Sequence, residues 1–401
     1  MNRMLWIGSF VPEAEIAGLN RLGYTGAASY LSQRNLVEGL EYHTGRAMDS
    51  VGAVVLPDFP KCGVLWFRRR KLKHSPDSEN ILAGFLNVKF VNRLVTSFAL
   101  TAEARRWAKR HRGDAAPDIF VYELRSACLR AAMAVKRILP SARVHLIVPD
   151  LPMFFDLSMG PVKRRLKEMD NRWILRHLDA ADTFILYAEP MAEYLGIEKR
   201  KWMRMEGSVN IGECQKRSED AGEPETQTCA AMYSGYLERG FGLLNLCDAF
   251  DLLGDGYELW ITGGGPLAEE IRKRAERNPR IRFFGFLADR AELLRLQQRA
   301  TVMVNMRDPG AEASAYCFPS KVFEGLLMEK PVLSCRLPGI PGEYFGHLVG
   351  MKSIDPADIA EAIRLAACMP PERGRRGAEF VAREKNNLVQ AKRILDFIKE
   401  A

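Results

Sequence analysis

The chain has 401 residues, 47% of them hydrophobic and 27% charged, with a formal net charge of +8. That length exceeds one ordinary core and implies two domains of roughly 200 residues, while no run of about 20 apolar residues is present to cross a membrane. Eight scattered cysteines without a CxxC pair argue for reduced thiols in the cytosol rather than a disulfide framework or a zinc site, and the positive charge points to anionic partners.

In chain order, "MLWIGSF" (4–10) is too short for a signal-peptide core and reads as a first strand. "GAVVLP" (52–57), "DIFVYE" (118–123), "RVHLIVPD" (143–150) and "TFILYAE" (183–189) are further strands, with helices expected near 26–41, 90–112, 125–138 and 161–178. Residues 203–228 are polar, rich in glycine and acidic groups and aperiodic, as a linker would be. Beyond them "CAAMYSG" (229–235), "YELWITG" (257–263), "IRFFG" (281–285), "TVMVN" (301–305) and "PVLSC" (331–335) are strands. Helical patterns over 243–253, 266–277 and 290–300 alternate with these. Such alternation predicts an α/β chain of two Rossmann-like domains, each a parallel sheet covered on both faces. The expected boundaries are 1–205 and 206–385, with a final helix over 386–401 packing back toward the first domain. Ligands of such sheets bind beyond the carboxyl ends of the strands.

"CFPSKVFEGLLMEKPVLS" (317–334) lies at one of those ends. Pro319 suits a helix start and Ser320 an N-cap, and Val322, Phe323, Leu326 and Leu327 supply a core-facing stripe. Lys321 and Glu324 share a face of that helix. A helix N-terminus with a lysine suits a diphosphate. A carboxylate one turn further in, about 5 Å along the axis, reaches a ribose. Ser320, Lys321 and Glu324 are therefore candidates for a nucleotide-diphosphate clamp; as surface groups they would be only a cap and an ion pair. Gly235, Arg239-Gly240 and the run Gly263-Gly264-Gly265 give close backbone approach and a cation at the same sheet edge. "GGGPLAEE" does not fit G-x-G-x-x-G, which disfavours a dinucleotide cofactor.

Taken together, "YSGYLERGFGLLNLCDAF … YELWITGGGP … IRFFGFL … TVMVNMRD … FPSKVFEGLLMEKPV" resembles the donor domain of glycosyltransferase family 4, retaining enzymes with the B-type glycosyltransferase fold. "GYTGAASYLSQRNLVEGL", "HLIVPDLPMFF", "AADTFILYAEPMAEYLGI" and "REKNNLVQAKRIL" extend the likeness to a bacterial surface-polysaccharide branch. The resemblance implies a sugar moved from a nucleotide-diphosphate donor to a glycan or lipid-linked glycan acceptor, an acceptor domain over 1–205 and a donor domain over 206–385. Glu324 matches the second glutamate of the family's E-x7-E motif, which implies a ribose contact, whereas Tyr316 stands where the first is expected. Glu312 is the nearest carboxylate that could replace it. Arg239 matches the lysine before glycine, implying a diphosphate contact, and Tyr236 replaces the arginine after the strand-end glycine, a charge that Lys321 could restore. Asp150 falls where the family places polar groups against sugar or acceptor, and Gly8 with Ser9, and Gly26 to Ser29, would face the cleft between the domains.

No Asp-x-Asp motif occurs and the histidines lack metal-ligand spacing. Arg239 and Lys321 would carry the leaving-group charge, and neither a metal nor any other cofactor is expected to be obligatory. His145 begins its strand and reads as structural. "WFRRRKLKH" (66–74) and "RRWAKRHR" (105–112) combine tryptophan with basic groups and suit the anionic inner face of a cell membrane, at about 1 kcal/mol per cation. A nucleic-acid module is absent from the pattern. Two other functions fit the same architecture: a sugar-nucleotide epimerase and a catalytically silent nucleotide-binding partner.

Overall fold

The computed structural model describes all residues except 1–2, 25, 90, 114, 155–159, 213–227 and 288, so most of the expected linker lies outside the described residues. The first unit takes residues 1–208 and 387–401. It holds β1 (Met4–Gly8), α1 (Glu13–Asn20), α2 (Ala27–Thr44), β2 (Met48–Gly52), β3 (Trp66–Phe67), β4 (Arg70–Leu72), β5 (Asn80–Leu82), β6 (Phe85–Leu86) and α3 (Val91–Arg110). After these come β7 (Asp118–Tyr122), α4 (Ser126–Lys136), β8 (Arg143–Val148), α5 (Pro161–Leu175), β9 (Thr183–Leu186), α6 (Pro190–Leu195) and β10 (Trp202–Arg204). The second unit, Val209–Asn386, holds β11 (Cys229–Ser234), α7 (Leu243–Asp251), β12 (Tyr257–Thr262), α8 (Ala268–Arg277), β13 (Ile281–Gly285) and α9 (Arg290–Arg299). It continues through β14 (Val302–Asn305), α10 (Ser320–Leu327), β15 (Val332–Cys335), β16 (Val349–Met351), α11 (Pro356–Ala367) and α12 (Pro371–Glu384). The last helix, α13 (Asn387–Glu400), belongs to the first unit and packs on α2.

Both sheets are doubly wound. The first runs β10-β9-β8-β7-β1-β2-β5-β4 and is parallel except at β4, which pairs antiparallel with β5. The second runs β13-β12-β11-β14-β15-β16, parallel throughout. In each, the first strand lies centrally and the winding reverses beside it, between β1 and β7 and between β11 and β14. Crevices open at such reversals beyond the carboxyl ends. The central strands are apolar on both faces, as in "MLWIG" and "RVHLIV", because helices cover both sides. On the first sheet α3, α4 and α5 lie side by side on the face opposite α2 and α13.

Two sequence expectations need correction here. The second strand is Met48–Gly52, not 52–57. Its "MDSVG" carries a buried Asp49 and Ser50, which hydropathy reads as a loop. Asp49 is matched by the Trp107 indole and the Glu79 amide, both at 2.8 Å, and Ser50 accepts from Asn80 at 2.7 Å. Buried polar groups survive when paired, and those partners lie far away in sequence. The tryptophan of "RRWAKRHR" is that same buried Trp107, so this segment offers no aromatic group to a surface. The short strands β3 to β6, β10 and β16 were too brief to announce themselves. Among the expected core residues of α10, Leu327 is only partly buried.

Candidate functional site

At the carboxyl edge of the second sheet the chain turns out of β11 and β12 on glycines. Gly235 has φ +148° and Gly263 φ +143°, values that favour glycine. A side chain on Gly263 would lie 1.8 Å from the Gly235 carbonyl oxygen, so the two strand ends meet as bare backbone. Lys321, in the first turn of α10, lies over this junction. A Cβ on Gly235 would come within 2.5 Å of its Nζ, and the ammonium stands 5.3 Å from the centre of the Tyr233 ring. The Tyr233 hydroxyl donates to the Tyr236 carbonyl at 2.8 Å, tying down the loop beyond the strand.

Burial holds the Lys321 ammonium below the ordinary lysine range; Glu324 opposes this and the Arg307 guanidinium adds to it. A desolvated lysine with a second cation nearby and bare backbone beneath it is prepared for an anion. Arg307 follows β14 and lies 4.2 Å above the Phe241 ring. No motif position marks it within "TVMVNMRD", so the sequence alone does not single it out.

The other candidates divide. Glu324 is exposed one turn along α10 and lines a small pocket with Lys321, Ser234 and Gln297. Ser320 is the exposed first residue of the helix, not its cap. The cap position falls on Pro319 and no side chain caps the turn, which leaves the serine hydroxyl at the open helix end. Arg239 begins a short turn, and its exposed guanidinium lies 3.6 Å from Glu270. A Cβ added at Gly264 would lie 3.9 Å from the Phe286 Cβ, and Phe286 is 76% exposed. That phenylalanine is a second residue without a motif to flag it. Glu312 and Tyr316 are the first and last residues of one 3₁₀ turn, Glu312 exposed and Tyr316 partly buried.

The edge of the first sheet is built differently. Gly8 ends β1, and a side chain there would strike the Gln33 Oε1 at 2.5 Å. Gln33 is fully buried; its oxygen accepts from the Trp6 indole and the Ser9 amide, and its nitrogen donates to Ser9 and Ser29 hydroxyls. Ser29 in turn donates to Glu123 at 2.8 Å. Glu123 follows β7 with φ +77°, an unusual backbone for a glutamate, and its carboxylate pairs with Arg125 at 2.6 Å. The Tyr122 and Tyr187 hydroxyls meet at 3.5 Å. Burial raises the Tyr187 phenol, and the charge of Asp150, exposed after β8, raises it further. Sequence reading singled out Ser29, Gly8 and Asp150 but neither Gln33 nor Glu123. His145 is buried between Thr183 and Asp118, on the strand rather than at its ligand end.

Residues 230–367 match a family described as glycosyl transferases group 1. Among solved structures, the UDP-forming trehalose-phosphate synthase of Burkholderia xenovorans, determined with glucose-6-phosphate, superimposes with TM-score 0.66 at 11% identity, covering 99% of this chain and 100% of that one. The Anabaena protein HepE, in complex with UDP and glucose, gives 0.62 at 12% over all of both chains. A lipopolysaccharide outer core galactosyltransferase, WaaB, gives 0.61 at 14% over 99% of each. At such identities the likeness carries the fold, two Rossmann-like domains of the B-type glycosyltransferase architecture. No curated protein matches the chain.

Proposed function

We propose that this chain is a retaining glycosyltransferase of family 4 that moves a sugar from a nucleotide-diphosphate donor to a lipid-linked glycan precursor on the cytoplasmic side of the membrane. The observation that carries the reading is Lys321, desolvated over the bare Gly235–Gly263 junction with Glu324 one turn away. The group 1 match over 230–367 supports a nucleotide-sugar transferase, and neighbours of the same fold bind UDP.

In this reading the diphosphate lies on the Gly235 and Gly263 backbone. Lys321 and Arg307 then face the phosphates, Ser320 donates at the helix end, and Glu324 accepts from the ribose hydroxyls. Phe286, beside Gly264, offers an aromatic face to the base. Arg239 serves from the rim once released from Glu270. As the sugar–phosphate bond breaks, charge grows on the diphosphate, and fixed cations stabilise that charge more than the ground state. Acceptor hydroxyls fit the hydrogen-bonding edge of the first unit, where Glu123, Ser29 and Asp150 are at hand. The tyrosines at 236 and 316 leave sugar recognition to other groups, Glu312 among them.

Donor turnover with a panel of nucleotide sugars and membrane extracts as acceptor source tests the reading. Consumption of one donor with transfer to extractable lipid is expected. Nucleoside diphosphate binding without consumption of any donor would leave a silent nucleotide-binding partner instead.

A further inference from the structure

The segment "WFRRRKLKH" ends in His74, in the turn that joins β4 to β5, and its imidazole is enclosed on three sides. Nε2 lies 2.8 Å from the Glu41 Oε1 on α2, and Nδ1 lies 2.9 Å from the Asn80 Oδ1 on β5. The Phe10 ring stands edge-on to it, with centres 5.2 Å apart. The His74 and Glu41 side chains are only 15% and 20% exposed.

Both ring nitrogens face oxygens, and neither oxygen can exchange its role. The Glu41 Oε1 already accepts the Met48 amide at 2.6 Å. The Asn80 Oδ1 accepts the His74 backbone amide at 3.0 Å, while its Nδ2 donates to Ser50 at 2.7 Å. Turning the Asn80 amide over would set its NH2 against the His74 N–H, so the oxygen side is fixed. A neutral imidazole has one donor and one lone pair, and in either tautomer the lone pair would face an oxygen. Only the imidazolium, with two donors, fits both partners.

The surrounding charges agree in sign. Burial is the largest influence on the ring and opposes its charge. The bonds to Glu41 and Asn80, with the charges of Glu41 and of Asp49 on β2, outweigh it and raise the His74 pKa above its ordinary value. Asp49 is bonded by Trp107, with Arg3 at 3.5 Å and His111 at 4.0 Å. Glu79 turns instead to Lys71 and Arg110, and Lys73 to the Pro76 carbonyl.

We infer that protonated His74 is a clasp that fastens the edge of the first sheet to α2 and releases it when the proton is lost. β4 is the outermost strand and meets the sheet through β5 over three residue pairs, so the turn beyond it is where this edge opens first. The clasp grips α2, which also carries Ser29 and Gln33, and packs on Phe10, next to Ser9. It therefore braces two segments that build the polar edge. With the folded pKa above the unfolded one, its contribution is whole below the unfolded value and fades as pH rises through the folded value.

Long-range proton–nitrogen NMR spectra of the 15N-labelled whole chain report both ring nitrogens and test the inference. Hydrogen exchange of the His74 and Ser75 amides, which bond Asn80 and Ser78, is followed over the same pH range. In the folded chain His74 should stay doubly protonated at a pH where it is already neutral in the urea-unfolded chain. Protection of the two amides, corrected for intrinsic exchange, should fall by up to about tenfold per pH unit between the two midpoints. Glu41→Gln should lower the folded midpoint and Asn80→Asp raise it, each carrying the loss of protection with it. Where Asn80→Asp does not fold, the partly exposed Glu41→Gln decides. A folded midpoint at or below the unfolded one, or protection that ignores pH, overturns the inference. So does a Glu41→Gln midpoint that stays at the parent's value.

Discussion

The two sheets share a strand order and a reversal beside their first strand, yet their carboxyl edges are opposites. At the edge of the second unit glycines strip the backbone bare, and cations, Lys321 and Arg307, stand over it. At the edge of the first unit side chains fill the same place, with Gln33, Ser9, Ser29 and Glu123 bonded to one another. A phosphate chain needs close amides and positive charge, whereas a hydroxylated acceptor needs directed oxygen and nitrogen partners. One topology thus supplies two chemistries through what each loop leaves exposed.

The largest expected effect attacks the bare backbone. Gly263→Ala places a methyl 1.8 Å from the Gly235 carbonyl in a backbone already at φ +143°. It should destabilise the second unit by about 4 kcal/mol, at the upper limit for single substitutions, read by denaturant unfolding. Gly8→Ala strikes the Gln33 amide, a side chain, and should cost less. Equal losses at both positions would erase the distinction between the edges. Lys321→Ala comes next: nucleoside diphosphate affinity should fall by about 1.5–3 kcal/mol, with a shallower salt dependence, by calorimetry. Unchanged affinity would remove Lys321 from the diphosphate site.

Legibility followed burial chemistry. Apolar strands such as β1, β7, β8 and β11 stood out because helices cover both of their faces. β2 did not, since Asp49 and Ser50 are paid for by Trp107, Glu79 and Asn80, which no local pattern reveals. In the second unit, glycines, a lysine and a glutamate at a strand–helix junction are local signals, and they marked the edge. Arg307 and Phe286 join that edge from separate strands, so only the sheet order brings them in. Glu123 was hidden for another reason: its backbone at φ +77° puts a glutamate where composition would expect glycine.

Smaller effects separate the edges by ligand. Glu324→Ala should weaken nucleoside diphosphate binding by about 1 kcal/mol, the worth of a lost hydrogen-bond pair, with little change in the salt slope. Glu123→Gln should leave that affinity alone and raise the acceptor KM roughly threefold, with donor KM unchanged. A change in nucleotide affinity from the Glu123 variant would mean that the edges do not divide the substrates in this way.

The subtlest difference is electrostatic and concerns stability. Burial depresses the folded-state pKa of Lys321 below its unfolded value. Between the two values the unfolded chain holds a proton that the folded chain has released, so stability rises with pH across that window. Below the window the penalty of the desolvated ammonium is present in full. Lys321→Met keeps the stem and removes the charge. It should therefore raise stability at neutral pH by about 1 kcal/mol and flatten the alkaline rise, while abolishing tight diphosphate binding. A bound diphosphate raises the lysine pKa again, so binding takes up a proton and weakens as pH climbs through the depressed value. Denaturant titrations from neutral to alkaline pH, with and without nucleoside diphosphate, check both signs. A variant less stable than the parent at neutral pH would mean that the lysine contributes packing to the second unit and carries no stored electrostatic cost.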